Sequence, residues 1–419
     1  MTYPIQTIVT IDFSNGANFG YPFILDDPKH GVLNSTDSVL GSSDAGNYVV
    51  DVSDVTRQAN LRGSYNLIQD QFEVGTATFI LNDPNAYFDP QNTSSPYYGK
   101  LVPMRKIRMA ANFNGNTYYL FSGYIQAYDY TYPKDYATGF VTISASDGFR
   151  LLNLSNISTV TGGTAGQLTG ARINKILDAV SWPANMRSID TGDTTLQADP
   201  GTQRQAINAI KNVEFCEQGA FYIDGTGSAR FISRTNLQKH AGETPIVFAN
   251  NGTGIPFFDL KFAHDDKLII NNANIQRTGG TTQSYTAQDS VDKYFKHSIN
   301  MNNLVLQNDT QAANIAATYV ATRRETTIRI DEITLDLSTP DYTAGIEAAL
   351  GADNFTLIKV IADQQAGSQI TKTLEIISIA HDITPTTWRT YFVTSEPIVD
   401  AFILNSDTYG VLDTSALTY

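Results

Sequence analysis

The stretch KIRMAANF at residues 106–113 is followed by YYLFSGYIQAYDYTY at residues 118–132 and FVTISASD at residues 140–147, and these runs decide the fold class. Each is rich in aromatic, β-branched and aliphatic residues, and Gly, Asn, Pro or Asp residues separate them. The earlier run TATFILND, which begins at Thr76, alternates small polar with apolar residues. Such runs, bounded by turn residues, are typical of β-strands. Several short strands at this spacing predict a barrel or a sandwich.

The composition also favours β structure. The chain has 419 residues, of which 22 are Tyr and 21 are Phe, whereas only 17% are charged. Aromatic and β-branched residues suit pleated, half-buried surfaces. The length is sufficient for roughly two to four domains, each with its own core.

The pattern changes near Gly170, where a small α+β unit is predicted. In TGARINKILDAVSWP the apolar residues recur at helical spacing and Pro183 ends the helix. A second helix is predicted from Thr202 to about Cys216, and the following GAFYIDGTGSARFISR indicates a hairpin. The predicted buried residues of the two helices are Ile173, Ile176, Leu177 and Val180, and then Ala206, Ile207, Ile210 and Val213.

Strand-like sequence resumes from about residue 246. A helix that starts at Asp309 is predicted over TQAANIAATYVATRRE, and strands are predicted at TTIRIDEITLDL, NFTLIKVIAD and TKTLEIISIAHDI. We therefore expect a mainly β fold with α+β insertions, in which two tube-like β-barrel domains flank a small α+β unit.

A sequence motif occurs near both ends of the chain, as FILDDPKHGVL from Phe23 and as FILNSDTYGVL from Phe402. The two copies could each add a short strand to a sheet edge. Alternatively, each copy is a local terminal hairpin. The candidate interaction residues are Phe23, Ile24, Leu25, Gly31, Val32, Leu33, Phe402, Ile403, Leu404, Gly410, Val411 and Leu412.

The formal net charge of −14 argues against sequence-independent binding of nucleic acid, which depends on Lys and Arg. No apolar run is long enough to span a bilayer, and the start MTYPIQTIVTIDF lacks the features of a signal peptide. Cys216 is the only cysteine, so no internal disulfide or cysteine zinc site is expected. We interpret it as a small buried apolar residue.

No catalytic constellation stands out in the sequence, so we expect no enzyme activity and no cofactor. The five His residues lie far apart, and none has metal-ligand spacing to another His or Cys. His381 and Asp382 are adjacent, but neighbours on a strand point to opposite faces. A structural hydrogen bond is therefore favoured for His381 over catalysis. In NDPNAYFDPQN, Asp83 and Asp89 could bind calcium, but a rigid turn is favoured.

The aromatic band from Tyr118 to Tyr136 allows two interpretations. Exposed rings could stack on sugars, which would indicate glycan recognition, as by an adhesin. Alternating aromatic residues on strands are more often core or subunit-interface residues, and that interpretation is favoured.

The segment from Tyr65 to Pro133 resembles the N-terminal region of bacteriophage minor tail proteins of the tail-hub family. That region has, in order, a G-T-A strand, an F-D-P loop, an S-P-Y turn, an I-R strand and an L-F-x-G-Y strand. ARINKILDAVSWPANMRSIDTG (residues 171–192) is similar to the family's middle domain, and SIAHDITPTTWRTYF (residues 378–392) is similar to its last core strands. The matching positions in the N-terminal region are Gly75-Thr76-Ala77, Phe88-Asp89-Pro90, Ser95-Pro96-Tyr97, Ile107-Arg108 and Leu120-Phe121-Ser122-Gly123-Tyr124.

The resemblance implies a structural virion protein, a homotrimeric tail-tip or baseplate hub that caps the tail tube. Its implied partners are the tail tube or distal tail ring protein, the tape-measure protein and central spike or fibre proteins, while genome DNA passes without specific binding. The implied location is the tail tip of the virion, after synthesis in the host cytoplasm. The predicted domains are an N-terminal strap (1–45), a first barrel (46–150), an α+β unit (151–245), a second barrel (246–400) and a C-terminal tail (401–419).

Overall fold

The computed structural model describes residues 4–19, 21–22, 38–39, 49–132, 139–326, 329–364 and 367–397. The part up to residue 147 is built from strands and one 3-10 turn (Ser53–Val55). Its strands are β1 (Gln6–Asp12), β2 (Tyr21–Pro22), β3 (Ser38–Val39), β4 (Val49–Asp51), β5 (Thr56–Arg62), β6 (Tyr65–Asn66), β7 (Gln71–Phe72), β8 (Thr76–Asp83), β9 (Lys106–Phe113), β10 (Asn116–Thr131) and β11 (Gly139–Ser146).

The part from residue 149 to residue 240 combines helices with short strands. A 3-10 turn covers Ala184–Met186. The elements are α1 (Phe149–Leu154), β12 (Asn156–Ile157), β13 (Gln167–Leu168), α2 (Thr169–Ala179), β14 (Arg187–Ile189), β15 (Thr195–Leu196), β16 (Arg204–Gln205), α3 (Ala206–Glu217), β17 (Ala220–Ile223), β18 (Ala229–Ile232) and α4 (Arg234–His240).

The last part returns to strands and adds three helices among its described residues. The elements are β19 (Ile246–Ala249), β20 (Asp259–Ala263), β21 (Asn272–Arg277), β22 (Gln283–Thr286), α5 (Gln288–Tyr294), β23 (Ser298–Leu304), α6 (Asp309–Arg323), β24 (Arg329–Asp336), α7 (Thr343–Gly351), β25 (Leu357–Ala362), β26 (Ile370–Ile383) and β27 (Trp388–Ser395).

A 13-stranded sheet joins the two β-rich parts of the chain. Its main order is β20-β24-β27-β26-β5-β8-β11-β10-β9-β1-β4, with β25 and β19 attached to β26. The link is the antiparallel pairing of β5 with β26, where Ala59 lies opposite Ile383 and Arg62 lies opposite Ala380. One ion pair, between Arg62 and Asp382, reinforces it at 2.6 Å.

The fold is mainly β with several helices, as predicted, but the described strands do not close into two barrels. The end strands β4 and β20 each pair with only one described neighbour. The cause is the length of β26, whose 14 residues pair with β25 from Ile370 to Glu375 and with β5 from Ala380 to Ile383. One long strand therefore merges the two β-rich regions into a continuous sheet.

The described residues form two hydrophobic cores. The sheet core combines residues of both β-rich regions, for example Phe79 and Ile107 with Ile333 and Trp388. The second core, called here the helical core, contains the buried faces of α2, α3 and α6 together with β17, β18 and β21. The domain boundaries predicted from the sequence stay predictions.

The helices show how closely hydrophobic spacing predicted burial. In α2, Ile173, Ile176 and Leu177 are buried, whereas Val180 is the C-terminal cap and only half-buried. Helix α3 buries all four predicted residues, but it begins at Ala206 because Arg204–Gln205 form β16. Helix α6 starts at Asp309, as predicted, and Asn308 caps it. Asp309 lies in the first turn and forms an ion pair with Arg277 at 2.6 Å.

Candidate functional site

The candidate interaction residues of the repeated motif lie outside the described residues. This applies to Phe23–Leu25 and Gly31–Leu33 of the first copy, and to Phe402–Leu404 and Gly410–Leu412 of the second. Their role therefore stays a prediction. The last described residue before the second copy is Pro397.

The aromatic band on β10 is divided between core and surface. Phe121 and Tyr124 are buried, and the Tyr124 hydroxyl donates a hydrogen bond to the Ala17 carbonyl at 2.6 Å. Tyr132 is 62% exposed, and its hydroxyl donates to Asp89 Oδ1 at 2.8 Å. That bond to the Asp89 carboxylate raises the pKa of Tyr132. Tyr136, the last residue of the predicted band, lies outside the described residues. The described part of the band, up to Tyr132, supplies core residues along its middle and one exposed ring at residue 132.

The loop after β8 is a rigid turn held by its own carboxylates. Asp83 accepts hydrogen bonds from the main-chain N–H of Tyr87 and Phe88 at 2.8 and 2.7 Å. Asp89 accepts from Gln91 N–H at 2.9 Å. These bonds use both carboxylate oxygens of Asp83 and Oδ1 of Asp89 to hold the turn. In the part of the chain that the structure describes, no group of three or more His, Cys, Asp or Glu is placed to hold a metal ion.

His381 has a structural hydrogen bond, as the sequence favoured. It is buried in β26, with Nδ1 2.9 Å from Thr390 Oγ1 and 3.3 Å from Trp388 Nε1. Because an indole N–H can only donate, Nδ1 is an acceptor and the neutral ring carries its proton on Nε2. Burial lowers the pKa of His381 to about 4. The neighbouring Asp382 instead pairs with Arg62.

A cavity of about 90 Å³ lies where the helical core meets the large sheet, and we call it the junction cavity. Its walls come from the β6–β7 hairpin, α3, α4, α6 and β26. Aromatic rings form much of the surface, and the rings of Phe215 and Tyr319 stack with centroids 5.5 Å apart. The charged and aromatic lining residues include Asp70, Glu214, Phe215, Tyr319, Arg323 and Glu375.

One ion pair crosses this cavity. Arg323 of α6 forms a salt bridge with Asp70, and its guanidinium lies 4.7 Å from the centre of the Tyr319 ring. The Tyr319 hydroxyl donates to Asp70 Oδ2 at 3.3 Å. Because Asp70 precedes β7 and Arg323 ends α6, the pair fastens the helical core to the first β-rich region.

Two further carboxyl groups in the cavity, those of Glu214 and Glu375, have pKa values raised by burial. Glu214 Oε1 accepts from Phe221 N–H at 2.7 Å, but its buried Oε2 has no hydrogen-bond partner among the described residues. Burial raises the pKa of Glu214 well above its usual value. Burial and the nearby Asp70 raise the pKa of Glu375 to about 8. The sequence analysis missed both residues, although each interrupts an apolar run (VEFC in α3, LEII in β26).

The two end strands of the large sheet are candidate assembly surfaces. Strand β20 presents Phe262, which is 43% exposed, and Phe258 just before it is 58% exposed. At the opposite end, Val49 of β4 is 48% exposed. An unpaired edge with exposed apolar residues is a template for pairing with another chain.

Within the described ranges, no helix is both long and apolar enough to cross a membrane. No protein-family model matches the chain, and no curated protein matches it in sequence. Among solved structures, the tail protein from Neisseria meningitidis MC58 is similar with a TM-score of 0.58 and 10% identity, covering 95% of this chain and 98% of that one. The fold of this chain is therefore similar to that of this tail protein.

A second tail-protein structure supports this assignment. The 43 kDa tail protein of prophage MuSo2 from Shewanella oneidensis has a TM-score of 0.51 and 14% identity, covering 84% of this chain and 96% of that one. The resemblance to phage tail proteins that the sequence motifs indicated is thereby confirmed at the level of the fold.

Proposed function

We propose that this chain is a structural virion protein, the trimeric tail-tip or baseplate hub that caps the tail tube. The observation that carries the proposal is the tail-protein fold, which extends over 95% of the chain. In this proposal the two β-rich regions predicted from the sequence, residues 46–150 and 246–400, act as two tube-like domains. Three copies would then present six such units, so that a sixfold tube could meet a threefold spike or fibre.

The charge of the chain is consistent with a channel through which DNA passes. Three copies would carry three times −14, or −42. An acidic wall repels phosphates and gives DNA no counterions to release, so the genome would leave without binding. The proposed partners are the tail tube or distal ring, the tape-measure protein and the central spike or fibre, at the tip of the virion tail.

We propose in addition that the two copies of the repeated motif bind apolar grooves within the assembled tail. The exposed sheet edges support the idea that this fold assembles through strand addition. If deletion of residues 402–419 leaves trimers and ring attachment unchanged, the second copy has no such role.

Light scattering on the purified full-length protein at several concentrations tests the hub. The expected mass is three times 45.9 kDa. A chain that stays monomeric both alone and when added to reconstituted tail tubes would contradict the proposal.

A glycan-recognising tail protein is the second candidate. The observation that favours it is a set of exposed tyrosines. The Tyr132 hydroxyl donates a hydrogen bond to Asp89, and the loop that contains Asp89 also carries the exposed Tyr87 and Tyr98. Titration with host envelope polysaccharide separates the two candidates. Binding that disappears in Tyr132→Ala but survives in Tyr285→Ala, an exposed tyrosine of β22, would favour glycan recognition.

A further inference from the structure

A second cavity lies beside helices α2 and α3, and we call it the Arg172 cavity. Its volume is about 450 Å³. The walls come from α2, α3, the segment before β16, the turn after β21 and the end of β23. An apolar cavity of about 150 Å³ in another protein already binds benzene. The Arg172 cavity is therefore large enough for a small organic molecule.

The guanidinium group of Arg172 is buried in the wall of this cavity with one nitrogen free. Arg172 is 1% exposed and lines the cavity. Its Nε donates to Gln167 Oε1 at 2.8 Å, and its Nη2 donates to the carbonyls of Thr164 and Gln197 at 3.0 and 2.9 Å. All three acceptors are neutral. In the described ranges Nη1 has no acceptor, so it is available to a ligand.

The positive charge of Arg172 is not balanced by an ion pair with any carboxylate of the described residues. Asp199 is the only acidic residue among the described lining residues, and its Oδ2 pairs with Arg204 at 2.5 Å. Burial lowers the pKa of Arg172, and the nearby Asp199 only counteracts this. Two guanidinium groups and one carboxylate leave the lining with one net positive charge, in a chain of formal charge −14. An anion in the cavity would compensate this buried charge.

The remaining lining provides both polar and apolar contacts for such an anion. Helix α3 begins without a side-chain cap, and Asn208 of its first turn lines the cavity, so the partial positive charge of this helix end lies close by. Thr278 also lines the cavity, and its hydroxyl has no hydrogen bond to the described residues. The buried side chains of Ile176 and Val213 form an apolar part of the wall.

We propose that the Arg172 cavity binds a small organic oxyanion, whose carboxylate or phosphate group accepts a hydrogen bond from Arg172 Nη1. The apolar part of the ligand packs against Ile176 and Val213. Both N–H groups of Nη1 are available, and the Thr278 hydroxyl can donate to a second ligand oxygen. Binding at this site needs no assembly, so it can fail without affecting the hub proposal.

The experiment is calorimetric titration of the purified full-length protein at pH 7 with benzoate and with phenyl phosphate. Benzyl alcohol, which has the same ring without the charge, and sodium chloride at equal ionic strength are the ligand controls. At least one oxyanion should bind with saturation and about tenfold or more tighter than benzyl alcohol, because a hydrogen bond to a charged group is stronger than a neutral one. The oxyanion that binds more tightly identifies the head group as carboxylate or phosphate.

A pair of variants tests the location of the site without disturbing Arg172. Asn208→Asp places a carboxylate at the cavity and should weaken oxyanion binding about five- to tenfold through repulsion. The fold should be retained, because Asn208 is exposed and an acidic residue is favourable in the first turn of a helix. Asn314→Asp adds the same charge at an exposed position of α6 and should leave the affinity unchanged.

Three results would overturn the proposal. If neither oxyanion shows saturable binding, the cavity is not an anion site. If benzyl alcohol binds as tightly as both oxyanions, the ring alone is recognised and Arg172 has no role in binding. If Asn208→Asp and Asn314→Asp have equal affinities for the oxyanion, the ligand does not lie in the Arg172 cavity.

Discussion

Two side chains on β26, Glu375 and His381, should make the stability of this protein depend on pH in opposite directions. Burial raises the pKa of Glu375 from 4.5 to about 8, so the folded chain holds this proton more tightly than the unfolded chain does. Its contribution to stability is complete below about pH 4.5 and is lost as the pH rises to 8. Burial lowers the pKa of His381 from 6.5 to about 4, so its contribution is complete above pH 6.5 and is lost as the pH falls to 4.

Replacement of Glu375 by Gln should therefore stabilise the protein at alkaline pH. We expect the free energy of unfolding at pH 8 to rise by about 1–3 kcal/mol relative to the wild type, with little change near pH 5. Urea unfolding at the two pH values measures this difference. The exposed Glu243→Gln is the control and should show no pH-dependent gain. If the free energy of unfolding rose by the same amount at pH 5 and at pH 8, ionisation of the Glu375 carboxyl group would not be the cause of the stabilisation.

Replacement of His381 by Gln should have the opposite pH dependence. At pH 7 the variant should lose about 1–2 kcal/mol, because the hydrogen bonds with Thr390 and Trp388 are disturbed. Between pH 6.5 and pH 4 the stability of the wild type should fall more steeply than that of the variant. Parallel pH profiles would show that His381 does not titrate in this interval.

At the residue scale, the roles of side chains that depend only on their neighbours in the chain could be predicted from the sequence. The different orientations of His381 and Asp382 follow from the alternation of side chains along a strand, and the turn role of Asp83 follows from its place before Pro84. The junction cavity was missed because its charged residues, Asp70, Glu214, Arg323 and Glu375, come from four distant parts of the chain.

The N-terminus of α6 gives a prediction at the scale of the element. Asn308 Oδ1 accepts from Gln311 N–H at 3.0 Å, and the Gln311 side chain accepts from Asn308 N–H at 3.2 Å. Asn308→Ala should lower the free energy of unfolding by about 0.5–2 kcal/mol, as measured by urea denaturation. Asn314→Ala, an exposed change in the middle of the helix, should have no such cost. Equal losses for both variants would exclude capping as the cause.

Several elements could be read directly from the sequence. The runs TATFILND and KIRMAANF coincide with β8 and β9, because alternation or high β propensity over eight residues directly reflects the pleat. The start of α3 was predicted wrongly, because Arg204–Gln205 pair with Asn156–Ile157. A pairing between residues so far apart in the chain leaves no local pattern in the sequence.

At the scale of the whole molecule, the single sheet core makes the two β-rich regions unfold together. Leu61 on β5 is buried in the same core as Trp388 on β27. Leu61→Ala should lower the free energy of unfolding by about 2–5 kcal/mol. In a Trp182→Phe background, the unfolding transition followed by Trp388 fluorescence should shift accordingly. The chain has only two Trp residues, so Trp388 is then the sole indole reporter.

The control for this experiment is Leu154→Ala, the same substitution at a side chain that is 56% exposed. An unchanged Trp388 transition in Leu61→Ala would mean that the two β-rich regions are independent domains. That result would favour the separate barrels predicted from the sequence over the merged sheet.

The pairing of β5 with β26 also determines when this protein can fold during its synthesis. Arg62 and Asp382 are 320 residues apart in the chain. At roughly 5–20 residues per second, the ribosome needs about 16–64 s to make the partner strand after β5 has emerged. During that interval the unpaired edge of β5 is open to strands of other nascent chains on the same messenger. We therefore expect slower translation of the segment before β26 to reduce the yield of soluble protein.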